Sequence, residues 1–350
     1  MEDDWLIIPK ENAERVKHVF SRHLGSQVTT IEKIYAGSFS EVFLVTCASG
    51  QEYIARICRS QDGWRTENQV ACLSLISKHT TIAVPRVLHW CVDTSEIGAE
   101  YIIMTKIPGE RLEQHWYSLA PDSKQKLLAQ LADWVVQLKR IPVERIGVFG
   151  FDSEGQVRIR TLSEVMFLFL KGGRGEEEQF ESVRRYVEAH AQEFGGVPAE
   201  KGGDLIAQID RLMERVFQAQ GGGEAPVMLC HNDLSETNIM VEGDRLTGLL
   251  DFEFSGAFPA DVEAFGSFEF LDTELPWDHP PVPAEGEIAS LKEYFRQEVD
   301  RLDPAVAKYL FTKERIFVSE FILEFLISPA YDQQQRRAAC RLWRDHFKVT

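Results

Sequence analysis

The amino-acid sequence predicts an α+β protein made of two unequal lobes, a small antiparallel β-sheet lobe followed by a larger, mainly helical lobe. Two observations support this fold class. Residues 29–58 alternate apolar and polar side chains over short stretches, which is the period of a half-buried strand. Residues 122–140 and 204–219 place large apolar side chains three or four positions apart, which is the period of a helix. We therefore expect one lobe over residues 1–106 and a second over residues 107–350.

The N-terminal lobe is expected to contain a hairpin. Residues 42–45 and 53–57 are rich in β-branched and aromatic side chains, and the turn-forming stretch 48–50 separates them. Helical spacing follows over residues 64–78, and the short apolar run 101–104 predicts another strand. The predicted order of this lobe is therefore strands, one helix and further strands.

Helices dominate the prediction for the second lobe. Besides the two helical stretches above, residues 313–328 and 333–347 are predicted to be mostly helical. The glycine-rich stretches 172–175 and 195–203 are typical of loops. Many enzymes combine a sheet lobe with a helical lobe, so this outline alone does not identify a function.

The charge balance of the chain is strongly acidic. The 350 residues contain 38 lysines and arginines against 55 aspartates and glutamates, which gives a formal net charge of −17. This excess disfavours nucleic acids and anionic membranes as partners, because their phosphate groups repel it. It suits a cationic small ligand, and it is explained more simply by solubility.

The six cysteines are scattered along the chain and form no C-x-x-C pair and no zinc-ligand spacing. This distribution is typical of buried thiols in a reducing compartment. The acidic first residues lack the pattern of a signal peptide, and no apolar run approaches about 20 residues. We therefore expect a cytoplasmic protein without a membrane span.

The strongest local signal is the sequence His-Asn-Asp-Leu-Ser-Glu-Thr-Asn at residues 231–238, which is followed by an aspartate at position 251. Apolar stretches on either side of the turn at 242–244 predict a hairpin. Asn238 then stands where the hairpin begins, and Asp251 stands just beyond its end. Because the two ends of a hairpin are neighbours, we expect Asp233, Asn238 and Asp251 to present their oxygen atoms to one point.

Phosphoryl transfer requires such an arrangement. One carboxylate must orient the attacking hydroxyl and accept its proton, and hard oxygen ligands must hold Mg²⁺ against a triphosphate. Asp233 and Asn238 match the catalytic-loop pattern H-R-D-x-x-x-x-N. Asp251 takes the metal-binding place of D-F-G in the triplet Asp251-Phe252-Glu253. A loop with incidental carboxylates is the alternative, which the combined spacing makes the less favoured one.

With these residues the chain resembles the aminoglycoside-phosphotransferase-like kinases, a family that includes choline kinases, homoserine kinases and many fungal members. The resemblance extends from about residue 30 to about residue 275, and residues 151–155 are also similar to a segment common in the fungal branch. It implies the bilobal protein-kinase-like fold and the transfer of a phosphoryl group from ATP, with Mg²⁺, to a hydroxyl group of a small molecule. In the family pattern Asp233 is catalytic, and Asn238 and Asp251 hold the metal.

The resemblance extends to the nucleotide-binding residues. Gly37 and Ser38 correspond to the phosphate-binding loop between the first two strands. Arg56 stands where the family usually has a lysine that binds the α- and β-phosphates, and arginine differs from lysine in reach and shape. Glu67, at the start of the predicted helix, corresponds to the glutamate that pairs with this cation. A solvated acid at the start of a helix is the alternative for Glu67.

The resemblance also implies a hinge and an acceptor site. Thr105 and Ile107 correspond to the hinge, where main-chain groups would bind adenine. Downstream, Asp261 matches an aspartate that is usually structural, and Asp272 falls near a position that binds substrate amines in aminoglycoside kinases. Acidic groups near the acceptor would suit an amine-bearing alcohol, and a solvated acidic face is an equal alternative.

The main alternative function is a pseudokinase that binds nucleotide or a partner without transferring phosphate, because Arg56 departs from the family pattern. An atypical protein kinase is a further alternative, although no A-P-E segment follows Asp251. The sequence lacks the G-x-x-x-x-G-K-[ST] and G-x-G-x-x-G motifs, which argues against P-loop and Rossmann nucleotide sites.

Overall fold

The computed structural model describes residues 12–37, 40–58, 63–144, 147–160, 226–259 and 285–310. The helices predicted over 204–219, 313–328 and 333–347 and the loops predicted over 172–175 and 195–203 lie outside the described residues. Ser38, Asp261 and Asp272 also lie outside them. Within the described ranges, no helix combines the length and the apolar composition that a membrane span requires.

The N-terminal lobe is built on a five-stranded antiparallel sheet in the order β1-β2-β3-β5-β4. Its strands are β1 (Val28–Ala36), β2 (Ser40–Cys47), β3 (Glu52–Cys58), β4 (Val87–Cys91) and β5 (Tyr101–Thr105). Helix α1 (Ala13–Leu24), which the sequence analysis did not predict, precedes the sheet, and α2 (Trp64–His79) separates β3 from β4. The hairpin, the helix over residues 64–78 and the strand over residues 101–104 are confirmed.

The β2–β3 hairpin follows from alternating side chains and a tight turn. Strand β2 buries every second residue, including Phe43, Val45 and Cys47. Gly50 adopts a φ of 80°, which lets its N–H donate to the Cys47 carbonyl at 2.9 Å. The buried face of the sheet packs against Phe20 of α1, so the apolar alternation of the strands fixes the N-terminal core.

Helix α2 connects the sheet to the second lobe. Its buried side chains Leu73 and Ile76 belong to the hydrophobic core of the second lobe. On the same helix, Asn68 donates its Nδ2 hydrogens to the carbonyls of Glu253 at 3.0 Å and Ser255 at 2.9 Å. Because Asn68 is fully buried, these bonds fix α2 against the segment that follows Asp251.

The described part of the second lobe combines helices with short strands. Its helices are α3 (Pro121–Lys139), α4 (Glu285–Leu302) and α5 (Pro304–Leu310). Its strands are β6 (Glu110–Arg111), β7 (Val148–Phe151), β8 (Val157–Arg160), β9 (Val227–Cys230), β10 (Ile239–Glu242), β11 (Arg245–Leu249) and β12 (Gly256–Pro259). Leucines of α3 form one core with Leu291, Phe295 and Val299 of α4. The α+β fold class is confirmed, and the lobe boundary after residue 106 stays a prediction.

Candidate active site

The β10–β11 hairpin brings two parts of the predicted motif together. Ile239, the first residue of β10, pairs with Leu249, the last residue of β11. One step further, the Leu250 N–H donates to the Asn238 carbonyl at 2.8 Å. Asn238 and Asp251 therefore lie at the same open end of the hairpin, as the sequence predicts.

Asp233 lies beside Asn238. A short 3-10 helix, Glu236–Asn238, leads directly into β10. The Asn238 Nδ2 donates to both the main-chain carbonyl and the Oδ2 of Asp233, at 2.9 Å each. Because Nδ2 faces Asp233, the Oδ1 of Asn238 is the atom that can ligate a cation.

His231 ties this loop to the end of the hairpin. Its Nδ1 accepts the Asp233 N–H at 3.2 Å, and its Nε2 lies 2.9 Å from the Leu250 carbonyl, to which it donates. The ring is fully buried, and this burial lowers the pKa of His231 to about 4. A neutral imidazole with its proton on Nε2 satisfies both bonds. His231 therefore fixes the main chain between the two candidate aspartates.

Two residues of the site adopt the left-handed backbone conformation. Asn232 has a φ of 62° and Asp251 a φ of 60°, and within the described ranges these are the non-glycine residues with positive φ. Asparagine and aspartate tolerate this region best among residues with a Cβ. The Asn232 Nδ2 also donates to the Phe254 carbonyl at 3.0 Å. Such conformations concentrate at functional sites, where the surrounding structure holds them.

Arg56 is bonded on every side by polar groups of the two lobes. Its Nε donates to Ser40 Oγ at 2.8 Å, and its Nη1 donates to Gln69 Oε1 and to Asp251 Oδ1 at 2.6 Å each. Its Nη2 lies 2.7 Å from Glu253 Oε2. Burial acts to lower the pKa of Arg56, but the carboxylates of Asp251 and Glu253 outweigh it and raise that pKa. The guanidinium is therefore held charged beside the predicted metal ligand.

The prediction that Glu67 pairs with Arg56 is wrong. The Oε1 of Glu67 accepts the Phe151 N–H at 2.9 Å, and its Oε2 forms an ion pair with Arg160. Glu67 therefore fastens α2 to the β7–β8 hairpin. Room for this pair exists because residue 150 is glycine: a Cβ there would lie 2.5 Å from the Arg160 Nε.

Sequence reasoning missed the partners that Arg56 does have. Ser40, Gln69 and Glu253 are all buried and all bond the guanidinium. A signal was present in the triplet Asp251-Phe252-Glu253, where an acid replaces the glycine of D-F-G. In the structure this acid is a partner of Arg56.

The predicted phosphate loop and hinge occupy the expected ends of strands. Gly37 follows β1, and its N–H donates to the Ser40 carbonyl at 2.9 Å. Thr105 ends β5, where its N–H donates to the Arg86 carbonyl at 3.0 Å. Ile107 packs closely against Gly248 of β11: a Cβ added to Gly248 would lie 2.5 Å from the Ile107 Cγ2. Nucleotide binding by Gly37, Thr105 and Ile107 stays a prediction.

The donor set at the hairpin end fits Mg²⁺. Carboxylate and amide oxygens are the hard ligands that this ion prefers, and Asp233, Asn238 and Asp251 supply them. The Asp251 side chain keeps 32% of its surface exposed, so a cation can reach it from solvent.

A second group of possible ligands, His23, His89 and Glu96, lies in the N-terminal lobe, with its donor atoms within 4.8 Å of one another. The two imidazole rings stack with centroids 3.4 Å apart and an interplanar angle of 13°. A metal ion bound by imidazole lies in the plane of the ring, and two stacked rings share no such position. This group is therefore not arranged as a metal site.

Solved structures of aminoglycoside phosphotransferases share this fold. The streptomycin–ATP complex of APH(2")-IIa aligns with a TM-score of 0.58 and 16% identity, covering 95% of this chain and 96% of that chain. APH(4)-Ia aligns with a TM-score of 0.54 and 16% identity, covering 95% of each chain.

Curated relatives include proteins of fungal gene clusters. A subtelomeric hrmA-associated cluster protein of Aspergillus fumigatus is 34% identical over 108 residues, which cover 29% of this chain and 21% of that protein. The clavilactone A biosynthesis cluster protein Y of Ampulloclitocybe clavipes is 23% identical over 239 residues, which cover 62% of this chain and 58% of that protein. The matched region thus spans about a fifth of the first relative. Residues 30–310 match the model of the family described as "Phosphotransferase enzyme family", and the chain belongs to that family.

Proposed function

We propose that this protein is an ATP- and Mg²⁺-dependent kinase that phosphorylates a hydroxyl group of a small molecule. The observation that carries the proposal is the grouping of Asp233, Asn238 and Asp251 at one end of the β10–β11 hairpin. Arg56 adds a fixed positive charge that is bonded to Asp251. An aspartate beside a cation site and a phosphate-binding arginine are the groups that phosphoryl transfer needs.

Each of these side chains has a separate role in the proposed reaction. Asp233 orients the acceptor hydroxyl and accepts its proton. Asn238 and Asp251 hold Mg²⁺, which neutralises charge on the phosphates when it is bound. Arg56 donates to a phosphate oxygen. The protein therefore acts mainly by positioning the reactants and by placing charge where the transition state needs it.

The proposed acceptor is an alcohol, and an amine-bearing alcohol is the favoured class. The net charge of −17 favours a cationic substrate electrostatically. Among the structural neighbours, a thermostable mutant of APH(4)-Ia was solved with AMP-PNP and hygromycin B, and APH(2")-IIa was solved with streptomycin and ATP. We propose a cytoplasmic location, because the scattered cysteines of the sequence are typical of a reducing compartment.

A coupled ADP-release assay over a panel of cationic and neutral alcohols tests the proposal, with Asp233→Asn as the blank. We expect acceptor-dependent ADP release from the wild type and a loss of about 10²–10⁴-fold in Asp233→Asn, because proton transfer to the carboxylate is lost. The variant should bind Mg·ATP as the wild type does. Normal turnover by Asp233→Asn would contradict the mechanism, and GTP in a parallel assay identifies the preferred donor.

The pseudokinase alternative has one specific observation in its favour. Within the described residues, the four contacts of Arg56 use four of the five N–H groups of a guanidinium, so one is left for phosphate. Binding of Mg·ATP with slow hydrolysis that no acceptor stimulates would favour this alternative.

A further inference from the structure

We propose that Glu253 is a positioning residue for nucleotide binding: it holds the Arg56 guanidinium in place, the part that the sequence assigns to Glu67. The inference rests on the proposed function, because it assigns a role within the same nucleotide site. Its starting point is the 2.7 Å contact between Arg56 Nη2 and Glu253 Oε2.

The cluster formed by Arg56, Asp251 and Glu253 has an inner and an outer carboxylate. The side chains of Arg56 and Glu253 expose only 4% and 7% of their surface, whereas that of Asp251 exposes 32%. Asp251 is therefore the carboxylate that a cation from solvent can reach. Glu253 is the one that stays with the guanidinium.

The charges of the cluster support this division. Arg56 is bonded to two carboxylates, so one of them can turn to a divalent cation while the other keeps the guanidinium paired. A buried charge is costly unless it is paired, so a cation that takes Asp251 would leave Arg56 uncompensated without Glu253. Glu253 thus lets Asp251 exchange Arg56 for a metal ion while the arginine keeps its place.

The main chain around Glu253 is rigid enough for this role. Its carbonyl accepts the Asn68 Nδ2 at 3.0 Å, and the preceding Phe252 is fully buried. The Asn68 Oδ1 in turn accepts the Phe149 N–H at 2.7 Å. The carboxylate that orients Arg56 is therefore fixed by α2 and β7 together.

While Asp251 stays bonded to Arg56, one further N–H of the guanidinium is left for a ligand. The guanidinium has five N–H groups, and within the described residues the contacts to Ser40, Gln69, Asp251 and Glu253 account for four. The remaining one belongs to Nη2, the atom that contacts Glu253. The orientation of this last donor is therefore set by Glu253.

The test is a titration of the full chain with Mg·ATP, read out as the dissociation constant and independent of turnover. Glu253→Gln should weaken binding by roughly tenfold or more, the effect expected when a charged hydrogen-bond partner is removed. The matched control is Glu100→Gln. Glu100 is also buried, and its carboxylate bonds the Gly63 N–H and Thr66 Oγ1. This control should lower the melting temperature and leave the dissociation constant within about twofold.

A double-mutant cycle shows whether Glu253 acts through Arg56. Arg56→Gln alone should weaken Mg·ATP binding, and adding Glu253→Gln should weaken it no further. Fully additive effects would overturn the inference. The inference would also be overturned if Glu253→Gln bound Mg·ATP with the same dissociation constant as Glu100→Gln.

A conservative variant keeps the test decisive if Glu253→Gln fails to fold. Glu253→Asp retains the charge but moves it away from Arg56 by the length of one methylene. Mg·ATP binding should therefore weaken several-fold, which is less than the loss expected for Glu253→Gln. Unchanged binding in Glu253→Asp would overturn the inference. A wild type that does not bind Mg·ATP would overturn the proposed function and the inference together, whereas normal wild-type binding with insensitive Glu253 variants would overturn the inference alone.

Discussion

Two ion-pair groups flank the start of α2, and they differ in the number of their carboxylates and in exposure. At the candidate active site, Arg56 faces the two carboxylates of Asp251 and Glu253, and the charge of Arg65 also acts on Glu253. On the other side, Glu67 and Arg160 form a neutral pair whose side chains expose 16% and 17% of their surface. The difference is that the Arg56 group combines two buried side chains with one carboxylate open to solvent, whereas the Glu67–Arg160 pair bonds one acid to one base and fastens two elements together.

Removing Arg56 should give the largest stability effect. Arg56→Met leaves Glu253 buried without its guanidinium, and breaking a buried pair in this way costs about 3–5 kcal/mol. We expect the free energy of unfolding, measured with urea, to fall by that amount. A loss below about 1 kcal/mol would show that Arg56 and its carboxylates are no more tightly coupled than a surface pair.

The same variant has a predicted pH dependence. Burial raises the pKa of Glu253, and the Arg56 charge opposes this shift. Without Arg56 the folded-state pKa rises further above the unfolded-state value. The variant should therefore be most stable below the unfolded-state pKa of about 4.3 and lose stability as the pH rises through the folded-state pKa. Urea titrations at several pH values check this sign.

Acid should lower the free energy of unfolding by protonating His231. Its folded-state pKa of about 4 lies below the ordinary value of about 6.5, so it contributes stability above pH 6.5 that is lost as the pH falls. We expect a contribution of roughly 2–3 kcal/mol to the difference in unfolding free energy between pH 7 and pH 4.5. His231→Gln removes the titrating group and should flatten the profile by that amount. Identical pH profiles for both proteins would contradict the assignment.

Glu67→Gln should give the smallest effect. The glutamine can still accept the Phe151 N–H, so only the partly exposed ion pair with Arg160 is lost. We expect a stability loss of about 1 kcal/mol and an unchanged dissociation constant for Mg·ATP. Arg160→Gln provides the matched partner variant. A tenfold loss of Mg·ATP affinity in Glu67→Gln would restore the role that the sequence predicts for it.

Local features of the site were predictable, because they lie close together in the chain. Asn238 and Asp251 are joined by one hairpin, so the apolar pattern of its strands placed them correctly. The partner of Arg56 was not predictable in this way. Glu67 and Gln69 are two positions apart on a helix and therefore point to different sides. Which of them faces Arg56 depends on the rotation of α2, and core packing and the Asn68 bonds set that rotation.

Ion pairs between residues far apart in the chain also could not be predicted from the sequence. Asp251 lies 195 residues from Arg56 in the chain, and Glu67 lies 93 residues from Arg160. No periodicity connects such positions, since contacts of this range depend on how the lobes pack.

Helix α1 was missed for a different reason. Val16, Val19 and Phe20 carry helical spacing and are buried, so the sequence contained the signal.

Calorimetric titration of the wild type and Asp251→Ala with ATP, in Mg²⁺ and in EDTA, tests the central claim most directly. If Asp233, Asn238 and Asp251 surround one magnesium-bound nucleotide, the wild type binds ATP more tightly in Mg²⁺ than in EDTA, and Asp251→Ala loses this difference. Equal enhancement by Mg²⁺ in both proteins would contradict the account.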